Sequence, residues 1–100
     1  DGAKEQRRVH RLRVARTLVD EHLAACVNIL PVMRSIYRWK GEVQQEDERQ
    51  LVIKTSADRL PALERRLHAL HPYELPEFVV VTADGASERY LRWVGAETSG

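Results

Sequence analysis

The residues best suited to chemistry in this 100-residue chain are concentrated in one heptapeptide, HPYELPE, at positions 71–77. It brings together the imidazole of His71, the phenol of Tyr73 and the carboxylates of Glu74 and Glu77. Histidine is the commonest transition-metal ligand in proteins, and carboxylates suit harder divalent ions. Two interpretations are open: the segment lines a metal or ligand site, or its prolines only end a helix and its charged residues are solvated.

The second candidate is Cys26, the only cysteine, which stands in the small-residue stretch AACV. A thiolate binds soft metals such as copper(I) or zinc, but a lone cysteine needs further ligands from histidine or from another chain. A partly apolar, unreactive cysteine in the core is the alternative. Because one cysteine cannot form an intrachain disulfide, the sequence favours a reducing, cytoplasmic location.

Two histidine spacings could also indicate a metal site. His22 lies four residues before Cys26, and His68 lies three before His71. Such spacings bring side chains together on a continuous helix. Each pair straddles a predicted helix end, so we interpret both as chance placements.

An aromatic platform is predicted from Trp39 and Lys54. Segments 35–42 and 49–55 are interpreted as the two strands of a hairpin, which would place these side chains on neighbouring strands. Lysine over an indole is a cation–π pair worth about 0.5–2 kcal/mol, and structural support is one interpretation. The other is a surface for an anionic or aromatic small molecule.

Hydrophobic periodicity predicts how the first half of the chain positions these residues. A helix is predicted over residues 4–23, and its apolar face carries Val9, Leu12, Ala15, Leu18, Val19 and Leu23. The arginines between them are interpreted as a solvated face. A strand follows from Cys26 to Leu30, and the polar run GEVQQEDE is interpreted as the connection of the predicted hairpin.

In the second half, a helix is predicted over residues 58–70, with capping from Ser56 and Asp58. The run EFVVVT, residues 77–82, predicts a strand, and Ser87 is the predicted N-cap of a short closing helix. The order helix, strand, strand, helix, strand, helix predicts an α+β sandwich with one layer of helices on a sheet. The strand expected before the first helix is missing, because DGAKEQ is polar and contains glycine.

The composition excludes several classes of function. The chain is long enough for a single domain, residues 1–100, with 43% apolar content. Sixteen basic and 15 acidic residues lack the basic footprint of a sequence-independent nucleic-acid binder. No apolar run approaches the ~20 residues needed to span a bilayer, so no membrane partner is predicted. Without a phosphate loop, an HExxH motif or a serine beside a base, the chain is predicted not to be an enzyme.

Four motifs in order carry a family resemblance: LAACVNI (23–29), SIYRWKGE (35–42), LVIKT (51–55) and HPYELPE (71–77). Together they resemble the CutA divalent-cation-tolerance family, most strongly over residues 12–94. The resemblance implies a ferredoxin-like βαββαβ domain with an added C-terminal helix, similar to PII-type signalling proteins, with the first strand missing from this chain. It also implies a tight homotrimer whose sheets pair edge to edge, linked to copper and other divalent metals.

The resemblance further implies a ligand cleft between subunits, near Tyr37, Trp39, Lys54, His71 and Glu74. Tyr73 and Glu77 are predicted to join the wall of this cleft. Cys26 and His71 are the predicted metal contacts, for Cu²⁺ or another divalent cation. The predicted function is that of a homotrimeric metal-tolerance protein with a PII-like sensing role. The alternative is a trimeric anchor or adaptor without a physiological metal.

Overall fold

A computed structural model gives the fold of the chain and describes residues 2–70 and 77–99. The elements in chain order are α1 (Gly2–Asp20), β1 (Cys26–Ile29), β2 (Met33–Trp39), β3 (Glu42–Glu48), β4 (Leu51–Lys54), a 3-10 turn (Ala57–Arg59), α2 (Leu60–Leu70) and α3 (Glu88–Glu97). The predicted α+β class is confirmed, and no strand precedes α1 in the described ranges. None of the described helices is long and apolar enough to cross a membrane.

The four strands form two separate antiparallel pairs. β1 pairs with β4, which places Cys26 directly opposite Lys54. β2 pairs with β3, which places Trp39 directly opposite Glu42. The prediction that β2 and β4 form one hairpin is therefore wrong, and so is the predicted contact between Trp39 and Lys54.

A two-residue turn explains this pairing. Lys40 and Gly41 both have positive φ, 51° and 80°, and they connect the end of β2 to the start of β3. Positive φ at both central residues is the geometry whose twist matches that of flanking antiparallel strands. Because the chain reverses here, the polar run GEVQQEDE returns beside β2 as a strand, which corrects its interpretation as a loop.

The core lies between α1, α2 and the β1–β4 sheet. Its buried cluster consists of Val14, Leu18, Leu23, Ala24, Leu63 and Leu67, with partly buried side chains from β1, β4 and Phe78 packed against it. The β2–β3 hairpin contributes no side chain to this cluster. The hairpin is therefore held mainly by its own ladder and by the chain that enters and leaves it.

The buried face of α1 differs from the predicted one. Leu18 is buried as predicted, and Val14, one turn earlier, is buried beside it. Val9, Leu12 and Val19 are instead 40%, 48% and 40% exposed. The reason is helical geometry: residues four apart share a face, whereas the nine steps from Val9 to Leu18 cover about two and a half turns, which places these two side chains on opposite sides of the helix.

Residues 77–82 do not form the predicted strand. Phe78 packs against the core, but the next three side chains, Val79, Val80 and Val81, are 72%, 51% and 86% exposed. Neither sheet of the described chain includes this segment. β-Branched residues favour an extended backbone, but a strand also needs hydrogen bonds to a neighbouring strand, and residues 77–82 pair with none of the described strands.

The helix starts give one confirmed cap and one correction. The Ser87 side chain accepts a hydrogen bond from the backbone N–H of Tyr90 at 3.3 Å, so the predicted N-cap of α3 is confirmed. Ser56 makes no such cap, and Asp58 lies inside the 3-10 turn that leads into α2. The Ser56 hydroxyl lies 2.7 Å from the hydroxyl of Thr98 instead and joins the start of α2 to the end of α3.

Candidate functional site

Cys26 and Lys54 form a cross-strand pair at one end of the β1–β4 sheet. Residues directly opposite each other in an antiparallel pair share a face, with Cβ atoms about 4.5–5.5 Å apart. The Cys26 thiol is half-buried, and its Sγ lies 3.8 Å from Oδ1 of Asn28, two residues along the same face. The thiol therefore has a carboxamide oxygen within 4 Å, and its cross-strand partner is a lysine.

No group of three histidine, cysteine or acidic side chains that could hold a metal ion occurs within residues 2–70 and 77–99. His22 is engaged elsewhere: its backbone is left-handed (φ 58°), and its Nδ1 lies 2.9 Å from the carbonyl oxygen of Glu97. Because α1 ends at Asp20, His22 and Cys26 do not share a helix. Their spacing does not place the imidazole beside the thiol.

Tyr37 and Trp39 lie on one face of the β2–β3 hairpin together with three carboxylates. Alternate residues of a strand face the same side, and so do residues directly opposite each other on its partner. By the register of β2 and β3, this face carries Glu42, Glu46 and Glu48 beside the two aromatic rings. We call these five residues the aromatic–acidic face.

Hydrogen bonds order part of this face. The Tyr37 hydroxyl bonds to the carboxylate of Glu46, which raises the pKa of Tyr37 above its usual value; partial burial and the negative charges of Glu46 and Glu48 raise it further. The Ser35 hydroxyl donates to the carboxylate of Glu48. Tyr37 therefore holds its phenolic proton more tightly than a free tyrosine does.

The lysine beside the indole differs from the predicted one. Lys40 Nζ lies 5.9 Å from the ring centroid of Trp39, within reach of a cation–π contact. Lys54 lies on the other sheet. The aromatic platform predicted for an anionic ligand is therefore bordered by carboxylates, and these repel anions.

The two faces of the hairpin differ in charge. On the opposite face, Arg34 Nε lies 3.3 Å from Oδ1 of Asp47, so a cation and a carboxylate are paired. No basic side chain of the described residues forms an ion pair with Glu42, Glu46 or Glu48. The aromatic–acidic face thus carries three uncompensated carboxylates beside two rings, an arrangement that suits guanidinium or ammonium groups.

The remaining predicted site residues are less informative. Glu77 is exposed, one residue before Phe78. His71, Tyr73 and Glu74 lie outside the described residues. The structure therefore brings the predicted residues together as two pairs on two different sheets. Tyr37 and Trp39 share a face of the β2–β3 hairpin, and Cys26 lies opposite Lys54 in the β1–β4 sheet.

The carboxylates of β3 were missed at the level of the sequence, although a signal was present. The positions of Glu42, Glu46 and Glu48 differ by even numbers, so the three side chains share one face of a strand. Once Lys40 and Gly41 are recognised as the turn, that parity places all three on the side of Tyr37 and Trp39. When the segment is interpreted as a loop, the sequence does not predict which side of the sheet these three side chains face.

Comparison with known proteins identifies a family model and relatives that match most of the chain. Residues 5–97 match a family model described as CutA1 divalent ion tolerance protein. A divalent-cation tolerance protein CutA from Thermus thermophilus is 46% identical over 85 residues, 85% of this chain and 82% of that protein. The chain spans about half the length of the plant and animal relatives it matches; for a chloroplastic CutA of Arabidopsis thaliana, at 41% identity, the share is 47%.

Solved structures agree with the fold. The chain superposes on a divalent cation tolerance protein from Thermus thermophilus with a TM-score of 0.83 at 43% identity, over 90% of this chain and 87% of that one. A PII-like protein CutA from Nostoc gives 0.78 at 47% identity, over 89% and 86%. The predicted ferredoxin-like, PII-like fold is thereby confirmed. The Thermus thermophilus relatives are named for tolerance of divalent cations and not for an enzymatic reaction.

Proposed function

Because the chain belongs to the CutA1 divalent ion tolerance family, we propose that it acts as a homotrimeric, cytoplasmic divalent-cation-tolerance protein with a PII-like sensing role. The observation that carries this proposal is the family match over residues 5–97. The proposed activity is binding, by a single domain that covers residues 1–100, and it involves no catalysed reaction.

Exposed apolar surface supports self-association. The hairpin side chains Ile36, Trp39 and Val43 are exposed although they are large and apolar or aromatic, and Val79–Val81 are exposed as well. The radius of gyration is 15.3 Å, against about 13 Å for a compact domain of this length. Unpaired strand edges are also present on both two-stranded sheets, and such edges pair readily with other chains.

A ligand cleft between copies would combine the two separated groups of residues. Tyr37 and Trp39 lie on one sheet and Lys54 on the other, so a single sheet does not present all three. We assign Tyr73, Glu74 and Glu77 to the same cleft wall. This part of the proposal depends on the assembly, because within the described residues no single sheet presents Tyr37, Trp39 and Lys54 together.

The proposed metal contacts are Cys26 and His71, with Cu²⁺ or another divalent cation as the ligand. The described residues supply the thiol of Cys26, but they form no group of three potential metal ligands around it, and Lys54 directly opposite disfavours a cation. A metal site at this position therefore requires His71 or residues of a second copy. When bound, the ion would act as the sensed ligand.

Metal titration of matched variants tests this assignment. Isothermal titration with Cu²⁺ and with Zn²⁺ gives stoichiometry and affinity for the wild type, Cys26→Ser and His71→Ala. We expect both variants to lose binding and a control, His68→Ala, to retain it, because His68 is an exposed imidazole on α2. Unchanged stoichiometry and affinity in both variants would remove Cys26 and His71 from the site.

A trimeric anchor or adaptor without a physiological metal is the second candidate. The exposed aromatic and apolar surface of the hairpin favours it, since that surface suits protein contacts directly. Light scattering in the presence and absence of a chelator separates the two functions. A trimeric mass that persists in chelator, in a protein that binds no divalent cation, supports the anchor.

A further inference from the structure

The inward face of α1 changes from apolar to cationic along its length. On a helix of 3.6 residues per turn, positions 7, 11, 14 and 18 fall within an arc of about 60°. Val14 and Leu18 on this arc are buried in the core cluster. Arg7 and Arg11 lie on the same arc, where Arg7 is exposed and Arg11 is half-buried. The first half of α1 therefore carries guanidinium groups on the side on which its second half packs.

The length of α1 explains this change. The helix has 19 residues and extends about 28 Å, whereas β1, against which it packs, has four residues and extends about 13 Å. Both buried residues of α1, Val14 and Leu18, lie in its second half. The first half of α1 therefore extends beyond the β1–β4 sheet and contributes no buried side chain to the core.

A further arginine comes from the connection between β3 and β4. Arg49 follows β3 directly, and its Nη1 lies 3.5 Å from the carbonyl oxygen of Leu30, where the chain leaves β1. The pKa of Arg11 is lowered, first by partial burial and then by the positive charges of Arg49 and of two arginines on its own helix. These guanidinium groups are therefore close enough to repel one another. Two separate parts of the chain thus supply cations to one place.

These cations lack balancing anions among residues 2–70 and 77–99. Glu5 balances the charge of Arg8. Arg7, Arg11 and Arg49 take part in none of the ion pairs that the described residues form, and we call these three side chains the arginine cluster. A half-buried guanidinium without a counter-ion is unfavourable, because burial removes water from it and the neighbouring cations repel it. An anion that binds between these side chains offsets both effects.

We propose that the arginine cluster binds the phosphate groups of a small soluble anion, of which inorganic pyrophosphate is the simplest form. A guanidinium binds phosphate oxygens through two parallel hydrogen bonds, and its planar fork suits them better than a lysine ammonium does. Because the arginines come from two elements, each element can hold one phosphate group of a diphosphate. The Cys26–Lys54 pair lies at the other end of the β1–β4 sheet, so this site is separate from the proposed metal contact at Cys26.

Titration of matched arginine variants with inorganic pyrophosphate tests this site. Isothermal titration at low ionic strength gives the affinity and stoichiometry for the wild type, Arg11→Gln and Arg49→Gln. The control, Arg13→Gln, removes an exposed arginine of the same helix, two residues from Arg11 and on the other side of α1. Circular dichroism checks that each variant is folded, and a parallel titration with inorganic phosphate compares one phosphate group with two.

We expect the wild type to bind an equimolar amount of pyrophosphate and to bind phosphate about tenfold more weakly, because phosphate carries less charge. Arg11→Gln and Arg49→Gln should each weaken pyrophosphate binding by about tenfold or more, because each removes charge-assisted hydrogen bonds. Arg13→Gln should bind pyrophosphate like the wild type. The affinity should also fall as sodium chloride is added, since salt screens the attraction between guanidinium and phosphate.

Three results would overturn the site. The first is an equal loss of affinity in all three variants, which would show only the general attraction of a basic surface for anions. The second is unchanged affinity in Arg11→Gln or in Arg49→Gln, because the site requires both elements. The third is a wild type that binds neither pyrophosphate nor phosphate. Each of these results leaves the proposed cation tolerance standing, since titration with Cu²⁺ tests Cys26 and His71 separately.

Discussion

Arg66 and Glu21 form a two-bond ion pair that joins the chain just after α1 to helix α2. Arg66 Nε donates to Glu21 Oε1 at 2.9 Å, and Arg66 Nη2 donates to Oε2 at 2.8 Å. These hydrogen bonds, and then the positive charge of Arg66, lower the pKa of the Glu21 carboxyl. Because Glu21 lies two residues before the core residue Leu23, the pair holds the chain where it turns into the core.

Glu21→Gln is expected to reduce stability at neutral pH and to have less effect in acid. A carboxyl whose pKa is lowered by folding stabilises the native state above its unfolded pKa, about 4.3, and this contribution is lost as pH falls through the folded pKa. The difference between wild type and variant in denaturant midpoint therefore narrows below about pH 4. Urea unfolding across the acid range measures it.

A matched control is Asp20→Asn, which removes the carboxylate of a more exposed pair with Arg16. We expect the denaturant midpoint of Asp20→Asn to fall in acid by as much as that of the wild type, because the Glu21–Arg66 pair remains. Arg66→Lys should behave like Glu21→Gln in part, since an ammonium cannot donate the parallel pair of bonds. A wild type and a Glu21→Gln variant that differ equally at all pH values would contradict the assigned role of the carboxylate.

Thr98 is expected to stabilise the end of α3 through its hydroxyl. The side chain is 2% exposed, its Oγ1 donates to the Val94 carbonyl at 2.8 Å, and it lies 2.7 Å from Ser56 Oγ. Thr98→Val keeps the shape but removes these bonds, with a loss of about 1–3 kcal/mol in unfolding free energy. Denaturant unfolding at fixed protein concentration measures the loss.

The double variant Ser56→Ala/Thr98→Val isolates the contact between the two hydroxyls. The loss of unfolding free energy in the double variant should be smaller than the sum of the losses in the two single variants, because the bond that the two hydroxyls share can be lost only once. A control, Ser99→Ala, removes a hydroxyl that bonds to Ala96 within the same helix end. Fully additive losses at Ser56 and Thr98 would show that the two hydroxyls act independently.

The helices and the first strand were predictable because their signals are local. Periodic leucines place α2, and a serine before a charged, apolar segment places the start of α3. The cross-strand partners were not predictable in the same way. Strand pairing depends on the turn, and the turn at Lys40 and Gly41 lacks the Asn-Gly or Asp-Gly pair that usually marks it.

Two strand predictions went wrong for opposite reasons. β3 is polar on both faces because neither face joins the core, so its sequence resembles a loop. Residues 79–81 have a strong preference for extended backbone, yet they lack a neighbouring strand in the described chain. The candidate site was likewise predicted only in part. Tyr37 and Trp39 could be recognised from their residue types, whereas placing Glu42, Glu46 and Glu48 beside them requires the strand register.

The core is expected to depend on Leu18 more than on any exposed leucine. Leu18 lies on α1 and is fully buried in the core cluster with Leu63 and Leu67 of α2, so truncation to alanine there leaves a cavity. We expect Leu18→Ala to lower the unfolding free energy by about 2–5 kcal/mol. Leu91→Ala, at an exposed position of α3, is the control, with a change near 0.5 kcal/mol or less in unfolding of a single chain.

Both variants are measured by denaturant unfolding at one protein concentration, with sedimentation of each to report its assembly. A loss at Leu91 as large as that at Leu18 would show that α3 is buried by a second copy. Equal and small losses at both positions would contradict the assigned core.

Tyr37 is expected to ionise later than a free tyrosine because its hydroxyl bonds to Glu46. A group whose pKa is raised by folding contributes stability that is present below its unfolded pKa, about 10, and is lost as pH rises through the folded pKa. Ultraviolet absorbance of tyrosinate follows the titration. Tyr37→Phe should remove the component whose midpoint is raised.

Glu46→Ala should lower the midpoint of Tyr37, because it removes the acceptor and a neighbouring negative charge together. Asp47→Ala removes the next carboxylate along the strand, which lies on the opposite face, and should leave the midpoint of Tyr37 unchanged. If both variants shift the titration equally, the long-range charge of the hairpin controls Tyr37 and the hydrogen bond to Glu46 does not. If the component with the raised midpoint persists in Tyr37→Phe, it belongs to another tyrosine.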